Sequence, residues 1–251
     1  MRVQLSKILL LFLLPAVGHA TSLIFTEDGT INGGTYQDVT IMNTATVGMI
    51  NGSVYNMYIR NLGTLNFYNG VISQADVWDS GKFNLEGASF GNTLSLNNSS
   101  VFTLNNGLFD GLIYGYDYSR AAINGGQASG IEFDMSSYAS ADIYAGNVTI
   151  DFLSLHQYST LNIYGGNVLF NNGFWLDDDA EITVFYSSII RYKPEDPHSP
   201  IIGYKLLDGS DFMLDQFSQS EIEQINFVPE PATLLLVGIG GLFLRGRKRS
   251  I

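Results

Sequence analysis

One internal period constrains this chain more than any other feature. Gly33, Gly52, Gly70, Gly87, Gly107, Gly126, Gly146 and Gly166 recur at spacings of 19, 18, 17, 20, 19, 20 and 20 residues, a mean of 19. So constant a step marks a structural repeat. The residues five and three places before the glycine are apolar in five repeats: Leu65 and Phe67, Phe102 and Leu104, Ala121 and Ile123, Ala141 and Ile143, Leu161 and Ile163. Around Gly87 the pair Phe83 and Leu85 is displaced by one place, and the first two repeats keep only Ile31 and Ile50. Asn66, Asp142, Asn162 and Tyr164 occupy alternating positions and are expected to face outward. That is the two-residue period of a strand with one buried face. A second short strand follows each glycine, as at Val71-Ile72, Leu108-Phe109 and Val148-Thr149-Ile150, with Asn-Gly and Gly-Gly steps at the corners.

A strand-only unit of this size cannot bury its own apolar face; stacked units can, with backbone hydrogen bonds running along the stack. The expectation is an all-β protein, a β-solenoid (β-helix) of about nine rungs over residues 21–185. At roughly 4.8 Å per rung it is a rod ~40 Å long. Regular strand spacing alone also fits a β-sandwich or jelly roll; the repeated glycine register favours the solenoid. The period fades after Phe185, and a Pro-rich loop over Lys193–Pro200 follows. A last rung needs covering, so 186–215 is read as a cap and 216–228, polar in composition, as a stalk.

The two ends read as targeting devices. Arg2 and Lys7 precede an apolar run from Ile8 to Leu14, Pro15 breaks it, and Gly18-His19-Ala20 offers small residues for cleavage between Ala20 and Thr21. That order is a secretory signal peptide over residues 1–20, and without a twin-Arg pair it points to the Sec translocon. Near the other end Ala232–Leu244 is a short apolar run, followed by Arg245, Arg247, Lys248 and Arg249. Thirteen residues fall short of the ~20 that span a bilayer comfortably, but a basic cluster directly after an apolar segment stays cytoplasmic. The expectation is a short transmembrane helix in the inner membrane with a basic stop. Just before it stand Val228, Pro229, Glu230 and Pro231.

That three-part tail, 228–251, resembles the PEP-CTERM sorting tail. The resemblance implies transient processing near Pro229-Glu230-Pro231 by an exosortase, a membrane-embedded transpeptidase-like enzyme of Gram-negative bacteria. It also implies export through the inner membrane, transient anchoring and delivery to the cell surface or medium, in producers of extracellular polysaccharide and biofilm. The turn Leu206-Leu207-Asp208-Gly209 likewise resembles the closing segment of other solenoid-bearing proteins with this tail.

Composition narrows the chemistry. The chain has no cysteine, which excludes disulfides and thiolate metal sites. Its net charge is −12, and between residues 21 and 227 the basic residues are only Arg60, Lys82, Arg120, Arg191, Lys193 and Lys205. Nucleic-acid binding is not expected on so acidic a body. His156 and His198 are the histidines outside the signal, and neither belongs to a metal-ligand cluster; His156 is expected to face outward. Asp177-Asp178-Asp179 with Glu181 reads as a solvated corner or a calcium turn, and Asp76 with Asp79 as an isolated carboxylate pair. Tyr144 and Tyr164 occupy equivalent places in adjacent repeats and are expected to stack outward; Tyr114, Tyr116 and Tyr118 form a local cluster. Thr44-Ala45-Thr46 has no counterpart in later repeats, against an ice-binding threonine array. No catalytic set, metal site or cofactor is expected. The reading is an exported, exosortase-sorted structural or adhesive component of an extracellular polysaccharide matrix, not an enzyme. The alternative is a carbohydrate-binding or carbohydrate-active β-helix protein.

Export has a direct test: N-terminal sequencing of mature protein should start at Thr21. Recovery of mature protein that still carries Met1 would contradict the cleavage.

Overall fold

The computed structural model describes residues 21–191 and 201–230. The chain coils into a β-solenoid whose consecutive turns pair in parallel on three faces. On the first face, the inward pairs run Val47 and Met49, Leu65 and Phe67, Phe83 and Leu85, Phe102 and Leu104, and then continue through Ala121–Ile123, Ala141–Ile143 and Leu161–Ile163 to Ile182 and Val184. The second face pairs Val54 with Ile72, and later Phe90 with Phe109, Ala128 and Val148. The third pairs Val39–Ile41 with Met57–Ile59, Ala75–Val77 and Leu94–Leu96, ending at Phe174–Leu176. Two early strands, Gly29–Ile41 and Thr46–Ile59, bend round corners and serve two faces each.

The core follows from this register. Each buried side chain sits above its own equivalent, so rings meet rings: Phe83 lies 5.5 Å from Phe102, and Phe90 lies 5.6 Å from Phe109. Ile143 and Ile163 are fully buried, as their places require, and Asn162 faces out. Asp142 also points away from the core, yet it is buried, because Arg120 and Asn162 both bond to its carboxylate.

Two details of the sequence reading change. The inward pair of the second repeat is Val47 and Met49, whereas Ile50 is an exposed outward residue. The corner equivalent to Gly107 is Ala88, not Gly87, because Ser89 pairs with Leu108. A Cβ on Gly107 would meet the carbonyl oxygen of Ala88, and one on Gly126 would meet that of Gly107. Displacing the marker from 87 to 88 removes the short interval followed by a long one, and Phe83 and Leu85 fall into register without a shift.

A second corner repeats as regularly, and no glycine holds its positive-φ place. Asn43, Asn61, Asp79, Asn98, Asp117, Ser137, Gln157 and Asp178 all take positive φ, between 55° and 61°. Asn and Asp tolerate that conformation better than other side chains. Small residues follow two places later, among them Ala45, Ser100, Ser119, Ala139 and Ser159, all buried where the chain turns inward.

The C-terminal end is closed by a cap. The last-rung strand Glu181–Arg191 continues past the solenoid and pairs antiparallel with Ile201–Leu206, which pairs with Asp211–Met213. Phe212 and Phe217 cover Phe170 at 6.5 and 5.1 Å. The segment expected as a stalk is instead part of this cap. It holds a four-residue helix, Gln219–Ile222, with a Ser218–Glu221 capping box, and a closing strand, Ile225–Pro229. Its polar composition hid the alternation of Ile225 and Phe227, the two residues that turn inward.

Among the described residues no helix is long and apolar enough to cross a membrane. The signal peptide expected at 1–20, the Pro-rich loop from Lys193 to Pro200 and the apolar run Ala232–Leu244 lie outside the described residues.

The glycine column makes a stability prediction. Gly126 has φ +75°, and an added Cβ would stand 2.8 Å from the oxygen of Gly107. Gly126→Ala should therefore cost about 1–3 kcal/mol in urea unfolding. An unchanged midpoint would contradict the stacked corner.

Candidate functional site

The residues with a chemical address lie at the capped end. The closing strand Ile225–Pro229 runs parallel to the last-rung strand, with Ile182 opposite Ile225 and Tyr186 opposite Pro229. It thus adds one further layer to the first face. Ile225 is buried, and Phe227 stacks on Tyr204 at 4.3 Å, while Tyr204 lies 4.6 Å from Tyr186. Burial, and then neighbouring Tyr186, push the Tyr204 phenol up from its ordinary value. Val228 and Pro229 belong to the strand, and the Glu230 amide donates to the carbonyl of Tyr186 at 2.7 Å. Pro231, the basic residues Arg245, Arg247, Lys248 and Arg249, and Ala20 lie outside the described residues; Thr21 opens the first strand, Thr21–Phe25.

The Leu-Leu-Asp-Gly turn is what seals the glycine corner. The Gly166 amide, topmost in the column, donates to Asp208 Oδ2 at 2.7 Å, and the Leu207 amide donates to the carbonyl of Tyr164. Asp208 Oδ1 accepts from the amide and hydroxyl of Ser210. Partial desolvation opposes the charge on Asp208, which is exposed, but the bonds from Ser210 and Gly166 outweigh it and hold the carboxyl below its usual range.

Outward residues form ladders. Tyr144 and Tyr164 stack at 4.8 Å and 5°, as equivalent positions should, and Phe185 extends the stack at 4.4 Å. Arg120 links it to Asp142 through the hydroxyl of Tyr144. Tyr118 does not join Tyr114 and Tyr116. It stacks on Tyr138 at 5.0 Å, and Tyr138 stacks on Tyr158 at 5.1 Å, along this second corner. The tyrosines one repeat apart signalled this column; their neighbours along the chain did not.

Of the carboxylates weighed from sequence, Asp76 lies on a strand opposite Ser95, three residues before the corner. Asp79 is a corner residue that accepts from the Asn61 amide and from the Asn98 side chain. Asp178 is the equivalent corner near the end, and Glu181 starts the last-rung strand. His156 faces out, as expected, but is not isolated. Its Nε2 lies 2.9 Å from Ser154 Oγ, its Nδ1 lies 3.6 Å from Asp177, and Asp134 stands 3.9 Å away on the rung below. Exposed Trp175 pairs with Ser154 on the next rung, and exposed Phe152 precedes Ser154 by two places on the same strand. Among the described residues no group of three or more His, Asp or Glu residues is placed to hold a metal ion.

Residues 227–249 match the PEP-CTERM protein-sorting motif, so the closing strand and the start of the motif overlap. No curated protein and no solved structure matches the chain. The protein is therefore a β-solenoid that carries a PEP-CTERM sorting motif. The motif marks it as an exported, exosortase-targeted protein bound for the cell surface.

The sealed corner titrates. A carboxyl whose folded value lies below its unfolded value stabilises above the unfolded value, and loses that contribution as pH falls through the folded one. The unfolded value is about 3.9. Between about pH 5 and pH 2, native chain should therefore lose more thermal stability than Asp208→Asn. Parallel losses would contradict the role of Asp208.

Proposed function

We propose that this protein is a non-catalytic structural or adhesive element of an extracellular polysaccharide matrix, made by a Gram-negative bacterium and delivered by exosortase. One observation carries the proposal: a sorting motif joined without a linker to a laddered β-solenoid. The motif needs an exosortase as a transient partner and Sec for export. Residues 232–244 hold the inner membrane during transit, and polysaccharide is the surrounding material. A rod whose rungs repeat one acidic, amide-rich outer surface suits a scaffold that makes many weak contacts. No catalytic residue and no cofactor enter this reading.

A second reading rests on the surface around His156. Exposed Trp175 pairs with Ser154 and exposed Phe152 shares its strand, beside the group of Ser154, His156, Asp134 and Asp177, and aromatic faces beside hydrogen-bonding groups suit sugar rings. Binding on a glycan array that is lost in Trp175→Ala would favour this carbohydrate-binding alternative.

Sorting supplies the main test. A short apolar run inserts weakly, so the basic cluster provides the barrier to full translocation. Replacing Arg245, Arg247, Lys248 and Arg249 with Ser should release unprocessed protein into the periplasm. Glu230→Ala should leave unprocessed protein in the membrane fraction. Wild-type processing of both variants in a host with the matching exosortase would contradict the sorting role.

A further inference from the structure

The sorting motif does not begin on a free peptide. Its first residues, from Phe227 to Pro229, belong to a strand that is already part of the body, and the Glu230 amide prolongs that pairing. This strand has a structural task of its own. The last-rung strand offers one open edge, and two segments cover it: Ile201–Leu206 from Tyr186 to Arg191, and the closing strand from Ile182 to Tyr186. Removing the closing strand would bare five residues of edge and uncover Tyr204 and the core beside Ile225. A bared parallel edge recruits other chains. The closing strand then becomes the edge itself, and it ends in Pro229. Proline withholds a donor, which is why it is tolerated on edge strands and blunts further pairing there. The first proline of the motif thus fits both the sorting signal and the end of the sheet.

We infer that exosortase processing leaves the closing strand docked, so the mature protein ends at the sealed end of the solenoid with no flexible stalk. The inference rests on the sorting reading of the tail. The broken peptide bond then lies on the carboxyl side of Glu230. Its acyl group stays with the body and passes to water, or to an amine if the enzyme transfers it, and the amine of the next residue leaves with the membrane tail. The enzyme must therefore work on a segment that starts at Glu230, at the very rim of the folded cap. Where the acyl group passes to an amine the rod is attached by one end, and where it passes to water the rod is released; in either case all three of its faces stay open to the surroundings.

The absence of native cysteine makes a clean test possible. Thr183 and Asn226 are paired across the last-rung and closing strands, on the outward side of the first face. In the exported protein, Thr183→Cys with Asn226→Cys should form a disulfide that pins the closing strand. The full chain is expressed with its exosortase, beside the two single-cysteine variants and the unsubstituted chain. The pinned protein should be processed to the same extent as the single variants. Processing of the single variants but not of the pinned one would overturn the inference and leave the sorting reading intact. No processing even of the unsubstituted chain would overturn the sorting reading and the inference with it. Mapping the C-terminus of the unsubstituted mature protein needs no variant. It should end at or beyond Glu230, and an end within the closing strand or before it would overturn the inference by itself.

Discussion

Backbone hydrogen bonding from each rung to the next governs this molecule. Parallel pairing holds successive turns about 4.8 Å apart on every face, corners included. Any side chain therefore has as its nearest neighbours the residues one repeat before and one repeat after it. At the glycine corner this spacing brings one backbone onto another so closely that a Cβ collides with the carbonyl of the rung below. Inside, it stacks phenylalanine on phenylalanine; outside, it stacks tyrosine on tyrosine. The stacked phenol faces cover one another along Tyr118, Tyr138 and Tyr158, while all three residues remain exposed.

The same constraint explains how so acidic a body tolerates its charge. A carboxylate facing a carboxylate on the next rung would repel it at close range. The outer ladders instead place an amide next to the acid. Asn56 donates to Asp38 and Gln74 donates to Asn56; Asn105 donates to Glu86 and Asn124 donates to Asn105. Asn98 with Asp79, Asn162 with Asp142 and Asn171 with Asp151 repeat the arrangement. An amide both accepts and donates, so it can continue a ladder that a second carboxylate would end. The abundance of asparagine is thus a consequence of stacking at this spacing.

The sequence showed the first face because its signal is local: an apolar pair followed, at every corner but Ala88, by a glycine. Residues such as Leu161, Ile163 and Gly166 carry that signal fully. The second corner was harder to see, because Asn43, Asp79, Ser137 and Gln157 share a backbone conformation without sharing a residue type. Gly87 misled because a glycine happens to stand one place before the true corner residue, Ala88, which does not take positive φ there. The closing strand was hidden for another reason. It pairs with a strand far back in the chain, and only Ile225 and Phe227 mark it within a polar stretch. The sorting tail was legible because its order of motif, apolar run and basic cluster is written directly in residue types. The docking of its first residues depends on where the solenoid ends, which no local pattern records.

The central claim is that a laddered solenoid ends in a strand that is also the start of its sorting signal. Hydrogen exchange on the mature protein, followed by mass spectrometry, tests this most directly. The account predicts slow exchange in Ile225–Pro229, close to that of the last-rung residues Ile182–Tyr186 with which it pairs. Exchange in Ile225–Pro229 as fast as in an unstructured peptide, beside a protected last rung, would contradict it.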